Sequence, residues 1–213
     1  MPDLFLPVQP ANQAAMAGYM RHQFKFLGVR ASERRQLTQP YLKASQTLTS
    51  TELQDWLVFY YEQPFREYHY VAIDLALANV RRLTPSQYEW CRQQVTHNAW
   101  WDSVDSWRKL LATYIEQQQA LPELGPAYIQ ASDFWLRRVG IILQLGRRQM
   151  TDQAYLTTAI LTNRTDDEFF IQKAIGWALR DYSKTNPAWV TQFIAAHALS
   201  PLVIREGSKY LPK

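Results

Sequence analysis

The chain has 213 residues, of which 47% are hydrophobic and 20% charged, values typical of a globular domain with a sizeable core. Its 7 glycines are too few for a loop-rich β fold or for glycine-rich phosphate-binding loops. The single cysteine, Cys91, excludes an internal disulfide, and one thiol makes no zinc site.

Charge and hydropathy restrict the partners and the compartment. A net charge of +4 and an isoelectric point near 9.2 suit a polyanionic partner, although many basic proteins bind no nucleic acid. The longest apolar runs, such as 56–61 and 139–142, are too short to span a bilayer. The first ten residues lack the basic start and apolar core of a secretory signal, so we expect a protein of the reducing cytoplasm.

Apolar residues recur at helical spacing along almost the whole chain, and no segment alternates in the manner of a strand. The sequence therefore predicts an all-α fold. The predicted helices span residues 10–26, 32–42, 50–62, 65–80, 85–97, 102–119, 123–130, 133–146, 152–163, 167–184, 187–196 and 200–210.

Four aromatic residues mark an internal repeat. Phe65, Trp100, Phe134 and Phe169 each open a long helical stretch, at spacings of 35, 34 and 35 residues. Helical units of this length stack into an α-solenoid, in which each unit covers the apolar face of its neighbour. We therefore predict one domain of helix pairs over residues 1–213, with a helical bundle of accidental spacing as the alternative.

Helical-wheel positions pick out residues that break the apolar pattern. Trp101 lies off the apolar stripe of its helix, on an arc that it shares with Asp105. A Trp beside an acid is costly unless it contacts a partner, and burial against the next repeat is the other explanation. Asp105 also has a structural explanation, since an acid near a helix start favours the dipole if Asp102 is the N-cap.

Two later helices contain similar exceptions. Arg138 points into an otherwise apolar arc, where a guanidinium must reach solvent or meet an anion; a structural pair with a carboxylate would explain it equally well. Trp177 lies at the edge of its helix's core arc, one turn beyond Lys173, and taken alone is a boundary residue.

The repeat groups these exceptions into one column. Asp105, Arg138 and Lys173 occupy nearly equivalent positions, 33 and 35 residues apart, and Trp101 and Trp177 lie one turn to either side. We expect the column to face one surface. Two indoles, a carboxylate and cationic groups suit a flat cationic ligand next to phosphates.

Several segments carry a resemblance to a known family. They are Phe24–Val29 (FKFLGV), Trp100–Ser106 (WWDSVDS), Trp135–Arg138 (WLRR), Phe169–Arg180 (FFIQKAIGWALR) and Lys184–Pro187 (KTNP). Together they resemble the AlkD family of bacterial DNA alkylation repair glycosylases, in order from about Tyr19 to Glu206. The motifs are long and therefore specific.

The resemblance implies a right-handed type of α-solenoid built from HEAT-like repeats. It also implies base excision repair in the bacterial cytoplasm, by hydrolytic release of N3- and N7-alkylated purines such as 3-methyladenine and 7-methylguanine from double-stranded DNA. It implies no metal, cofactor, membrane or obligate protein partner. The active-site residues of the family fall on Trp101, Asp105, Arg138 and Trp177.

Four further residues are candidates for binding DNA. Tyr19 matches an aromatic residue that lies near the lesion in the family, and Lys173, Arg180 and Arg205 are candidates for phosphate contacts. Two other functions fit the same helical array: a DNA-binding module without catalysis, and a scaffold that binds a protein partner.

Overall fold

A computed structural model of the chain describes residues 3–211. Over that range the chain forms twelve α-helices and two short 3-10 helices, Val80–Arg82 and Arg148–Met150. The only β pairing among these residues is an isolated parallel bridge between Lys25 and Phe65. The all-α prediction is therefore confirmed. No helix within residues 3–211 has both the length and the apolar character needed to cross a membrane.

The chain divides into two compact units, one ending at Arg92 and the other beginning at Gln93. The first unit contains α1 (Pro10–Tyr19), α2 (Ala31–Ser45), α3 (Ser50–Tyr61), α4 (Arg66–Ala78) and most of α5 (Pro85–Gln94). The second contains α6 (Trp101–Gln117), α7 (Leu121–Ile129), α8 (Phe134–Ile142), α9 (Gln153–Asn163), α10 (Phe169–Ser183), α11 (Pro187–Ala196) and α12 (Pro201–Gly207). A single domain over the whole chain stays a prediction.

All twelve predicted helices are present in the predicted order, but the first was predicted too long. It ends at Tyr19 rather than at residue 26, because Arg21 and His22 adopt left-handed backbone angles, with φ of +52° and +56°. The chain after them is not helical, and the carbonyl of Lys25 accepts a hydrogen bond from the backbone N–H of Arg66 at 2.9 Å.

A buried carboxylate holds this non-helical segment. Glu67, which is 0% exposed, accepts the backbone N–H groups of Leu27, Gly28 and Val29 at 3.0, 2.8 and 3.2 Å. These three bonds compensate the cost of burying the carboxylate, and they hold the backbone of residues 27–29, just beyond residue 26 where the first helix was predicted to end. The pattern did not reveal this because the acceptor lies about 40 residues further along the chain.

The helix predicted over 133–146 also ends early, at Ile142. The side chain of Gln144 pairs with the backbone of Asp152: its amide donates to the carbonyl at 2.9 Å, and its oxygen accepts the N–H at 2.7 Å. The N–H of Gly146 donates to Asp181 at 2.7 Å. Residues 144 and 146, which were expected in the last turn of the helix, therefore form hydrogen bonds with residues outside it.

The aromatic repeat marks equivalent helix starts. Phe65 and Trp100 are the N-cap residues of α4 and α6, and Phe134 and Phe169 are the first residues of α8 and α10. Within the second unit the neighbouring rings make contact, with 6.2 Å between the centroids of Trp100 and Trp135, and 4.8 Å between those of Trp135 and Phe170. Edge-to-face and tilted contacts between aromatic rings therefore connect the starts of α6, α8 and α10.

Helix α10 is central to the second unit, where it contacts α8, α9, α11 and α12. The apolar pattern predicts a core arc on this helix through Phe170, Ile171, Ala174, Ile175 and Ala178, of which the last four are buried and Phe170 is partly buried. The helix approaches α12 closely at Gly176, where an added Cβ would lie 2.6 Å from the Cβ of Glu206. Only glycine therefore allows α10 and α12 to pack at this distance.

We expect Gly176→Ala to destabilise the protein by about 1–3 kcal/mol, because the added methyl group overpacks the contact between α10 and α12. Urea unfolding followed by circular dichroism measures the change. The control is Gly18→Ala on α1, where the nearest atom lies 3.9 Å from the added Cβ, and where we expect no loss or a gain of up to about 1 kcal/mol. Equal stability of wild type and Gly176→Ala would contradict the prediction.

Candidate active site

The second unit brings Asp105 of α6 and Arg138 of α8 into a bidentate ion pair. Nε of Arg138 donates to Oδ1 of Asp105, and Nη2 donates to Oδ2, both at 2.9 Å. Nη1 of Arg138 donates to the carbonyl oxygen of Phe170 on α10 at 2.8 Å. Asp105 is therefore the anion that compensates the charge of Arg138 in its apolar surroundings. The single guanidinium of Arg138 also connects α6, α8 and α10.

The pair is buried unequally. The side chain of Arg138 is 6% exposed and that of Asp105 is 20% exposed. Removing the carboxylate from a guanidinium buried in this way costs about 3–5 kcal/mol, so Arg138 holds the Asp105 carboxylate in a defined orientation. The remaining exposure of Asp105 leaves part of the carboxylate accessible to solvent and substrate.

Of the two tryptophans predicted beside this pair, Trp177 lies next to Arg138. Cζ of Arg138 lies 6.0 Å from the ring centroid of Trp177, at the limit of a cation–π contact. Trp101 is the first residue of α6 and is partly buried. It precedes Asp105 by four residues, so both lie on one face of the helix. The structure thus brings Asp105, Arg138 and Trp177 together and places Trp101 one turn away.

The predicted N-cap of α6 was wrong. The helix begins at Trp101, and Trp100 occupies the N-cap position with φ of −156° and ψ of 162°. The hydroxyl of Ser103 donates to the carbonyl of Trp100 at 3.1 Å. Asp105 is therefore in the second turn rather than the first, where the helix dipole acts less strongly on a carboxylate. Its ion pair with Arg138 is the better explanation of its position.

The three predicted phosphate-binding cations lie around a different carboxylate, that of Glu206 on α12. The nitrogen–oxygen distances to it are 3.1 Å from Lys173, 3.0 Å from Arg180 and 4.0 Å from Arg205. Lys173 therefore does not extend the Asp105–Arg138 pair, although it lies at the equivalent repeat position. Tyr19 ends α1 in the first unit and is 71% exposed, and its role near a lesion stays a prediction.

Arg108, three residues after Asp105 on α6, is a residue near the site that the sequence did not identify as a candidate. Its Nε atom is buried without a hydrogen-bond partner among the described residues. Burial is the main cause that lowers the pKa of this guanidinium, and the nearby positive charge of Arg138 lowers it further. The negative charges of Asp105 and Asp181 act in the opposite direction but do not outweigh burial. The spacing of three residues from Asp105 is the signal that identifies Arg108 as a second cation beside the carboxylate.

Arg137, next to Arg138, fixes the start of α8. Its Nη2 lies 2.6 Å from Oδ2 of Asp166, which precedes α10. Burial acts to raise the pKa of Asp166, but the N–H of Glu168 and the Arg137 guanidinium outweigh it and hold the pKa below its ordinary value. This ion pair joins the α8 residues that hold Asp105 to the segment that leads into Phe170.

We expect Asp166→Asn to lower the stability at pH 7 by about 1 kcal/mol. Because the folded-state pKa of Asp166 is depressed, its contribution is present above the unfolded-state pKa and is lost as the pH falls through the folded-state value. The difference from wild type, measured by urea unfolding, should therefore shrink as the pH falls below the unfolded-state pKa and disappear once the pH is below the folded-state pKa. Asp167→Asn at the exposed neighbouring position is the control. A difference that persists at the acidic end would count against the ion pair.

The sequence model of the DNA alkylation repair enzymes matches residues 6–211, and the chain belongs to this family. Family membership gives it a role as an enzyme of DNA repair. A comparison with curated proteins gave no significant match.

Two solved structures show the same fold. A protein described as a predicted DNA alkylation repair enzyme from Enterococcus faecalis is 46% identical with a TM-score of 0.96, over 99% of this chain and 100% of that one. AlkD2 from Streptococcus mutans is 16% identical with a TM-score of 0.71, over 94% of this chain and 100% of that one. These likenesses confirm the helical-repeat class and exclude a bundle with accidental spacing.

Proposed function

We propose that this protein is a monofunctional DNA glycosylase that hydrolyses the N-glycosidic bond of N3- and N7-alkylated purines, such as 3-methyladenine and 7-methylguanine, in base excision repair. One observation carries the proposal: the partly exposed carboxylate of Asp105 is held by a bidentate bond from Arg138, whose guanidinium lies beside the indole of Trp177. Its substrate is double-stranded DNA, and its compartment is the bacterial cytoplasm.

The chemistry of the damaged base determines what the site must supply. An alkyl group on N3 or N7 makes the purine cationic, so the base leaves the sugar as a neutral group. The leaving group then needs no proton, and a general acid is not required. The remaining tasks are to stabilise the oxocarbenium-like sugar and to position a water molecule for attack.

Asp105 is suited to both tasks. Its negative charge stabilises the developing positive charge on the sugar, and its carboxylate oxygens orient the attacking water. Arg138 occupies one acceptor direction on each oxygen, and each oxygen has a second one. The ion pair therefore positions the carboxylate without using up its capacity to accept a hydrogen bond from water.

The neighbouring residues are suited to holding the damaged nucleotide. Trp101 and Trp177 would contact the cationic nucleotide through their ring faces. Arg138 uses three of its five N–H donors in the ion pair and the bond to Phe170, which leaves two for a flanking phosphate. Lys173 is engaged by Glu206 rather than available as a nucleophile, which supports hydrolysis by water over a lyase step.

The first test is to incubate the purified protein with methylated duplex DNA and to measure free 3-methyladenine and 7-methylguanine. We expect Asp105→Asn to retain DNA binding and to lose excision of 7-methylguanine by about 100-fold or more, because a neutral amide no longer stabilises the sugar cation. Asp102→Asn on the same helix changes the charge equally and should keep most of the activity. Full activity of Asp105→Asn would refute the assignment.

The outcome of this assay also separates the other two functions. Salt-dependent DNA binding by wild type without release of either base would indicate a DNA-binding module. Weak, salt-insensitive affinity for DNA would indicate a protein-binding scaffold, in which Asp105 and Arg138 only connect the repeats.

The size of the adduct provides a second prediction. A partly exposed Asp105 on a helix face does not require the target base to enter a closed pocket. We therefore expect release of a bulky N7-alkylguanine within about tenfold of the rate for 7-methylguanine, measured in duplexes that contain one adduct each. Strict rejection of the bulky adduct would show that the base must enter a pocket of limited size.

A further inference from the structure

The carboxylate of Glu206 is surrounded by three cationic side chains, those of Lys173, Arg180 and Arg205. We name these four residues together the Glu206 cluster. Lys173 binds Oε1 at 3.1 Å and Arg180 binds Oε2 at 3.0 Å. The Glu206 side chain is 17% exposed, whereas those of Lys173, Arg180 and Arg205 are 37%, 24% and 74% exposed. The carboxylate is thus the most buried group of the cluster, and the cations lie closer to solvent.

The backbone fixes this arrangement. Gly176 lies between Lys173 and Arg180 on α10 and faces the Cβ of Glu206, and no side chain separates the two helices there. The hydrogen bond from Lys173 is the main cause that lowers the pKa of Glu206, so the carboxylate is ionised at neutral pH. A fixed negative charge therefore holds the cations of α10 in place.

The cluster shares a helix face with the candidate active site. Trp177 lies four residues after Lys173 and three before Arg180, so the three side chains project from one side of α10. Arg138 contacts Trp177 from α8. A duplex whose damaged nucleotide lies against Trp177 would therefore bring flanking phosphates towards the cluster.

The charges suit such a phosphate. Three cations around one carboxylate leave a net charge of +2. The carboxylate offers one negative charge and two acceptor oxygens to Lys173 and Arg180, as a phosphodiester does. Glu206 therefore occupies the place that a backbone phosphate would take between these two cations.

We propose that Glu206 is an internal substitute for a DNA phosphate, which keeps Lys173 and Arg180 in position and limits the affinity for DNA by competing with the backbone. The inference rests on the proposed function for its ligand. A salt bridge with only a structural role has the opposite consequence, because its removal lowers stability and adds no affinity.

The test compares DNA affinity in matched charge variants of the full chain. Fluorescence anisotropy with a labelled, unmodified duplex is measured between about 50 and 200 mM salt for wild type, Glu206→Gln and Glu116→Gln. Glu116, in the same unit, pairs with Arg147 at 3.3 Å, so both substitutions add one positive charge and release an arginine. We expect Glu206→Gln to bind about 3–10-fold more tightly than wild type and with a steeper salt dependence, and Glu116→Gln to change the affinity less than about twofold.

Two further variants keep the test decisive if Glu206→Gln does not fold, which a thermal melt would show. Glu206→Asp retains the charge and should bind like wild type. Lys173→Gln should weaken binding and reduce the slope of log affinity against log salt by about 1, because one phosphate contact is lost. Equal affinities of Glu206→Gln and Glu116→Gln, or an unchanged slope for Lys173→Gln, would overturn the inference.

The outcomes also separate this inference from the proposed function. Excision by wild type together with equal affinities of the two glutamine variants would remove the inference and leave the glycosylase. The expected order of affinities without excision would leave the inference and remove the glycosylase. If no variant binds the duplex, the inference is wrong, and the glycosylase is then decided by base release from methylated DNA alone.

Discussion

The bidentate bond between Arg138 and Asp105 is the interaction on which the candidate active site depends. The guanidinium lies in an apolar arc of α8, where an unpaired charge would be costly, and the carboxylate of α6 compensates it. The bond from the same side chain to the carbonyl of Phe170 extends the connection to α10. The catalytic role proposed for Asp105 requires a fixed orientation, which the ion pair provides, and partial exposure, which its 20% exposed side chain retains.

The pair Lys173–Glu206 has the same sequence separation as the pair Asp105–Arg138, but the more buried residue is the carboxylate instead of the cation. Asp105 and Arg138 are 33 residues apart, and so are Lys173 and Glu206. In the first pair the carboxylate is the more exposed member, with 20% of the Asp105 side chain exposed against 6% for Arg138, which suits the proposed role in chemistry. In the second the carboxylate is the buried member, so the cations face outwards and are available for phosphate. One repeat geometry thus supports a catalytic and a binding role under the proposals above.

Much of the fold could be predicted because helices are local structures. Periodicity located twelve helices in the right order, and the aromatic residues at 34- and 35-residue spacing identified equivalent helix starts. The errors lay where long-range bonds override local preference. The carbonyl of Lys25, inside the predicted first helix, accepts a hydrogen bond from the backbone of Arg66, and Gln144, inside the predicted α8, bonds to Asp152. Neither bond leaves a periodic trace in the sequence.

The features of the candidate site also divide into those that the sequence determines and those that only the tertiary structure determines. The sequence by itself determined the helix faces on which Trp101, Asp105, Arg138 and Trp177 lie, and the resemblance to a repair family, because both depend on residue order alone. The tertiary structure decided which residues pair with one another. Arg138 pairs with Asp105, whereas Lys173 pairs with Glu206 and not with a residue of the predicted column. A helical wheel gives the direction in which a side chain points but not the residue that faces it, since that residue belongs to a helix packed against it from another repeat.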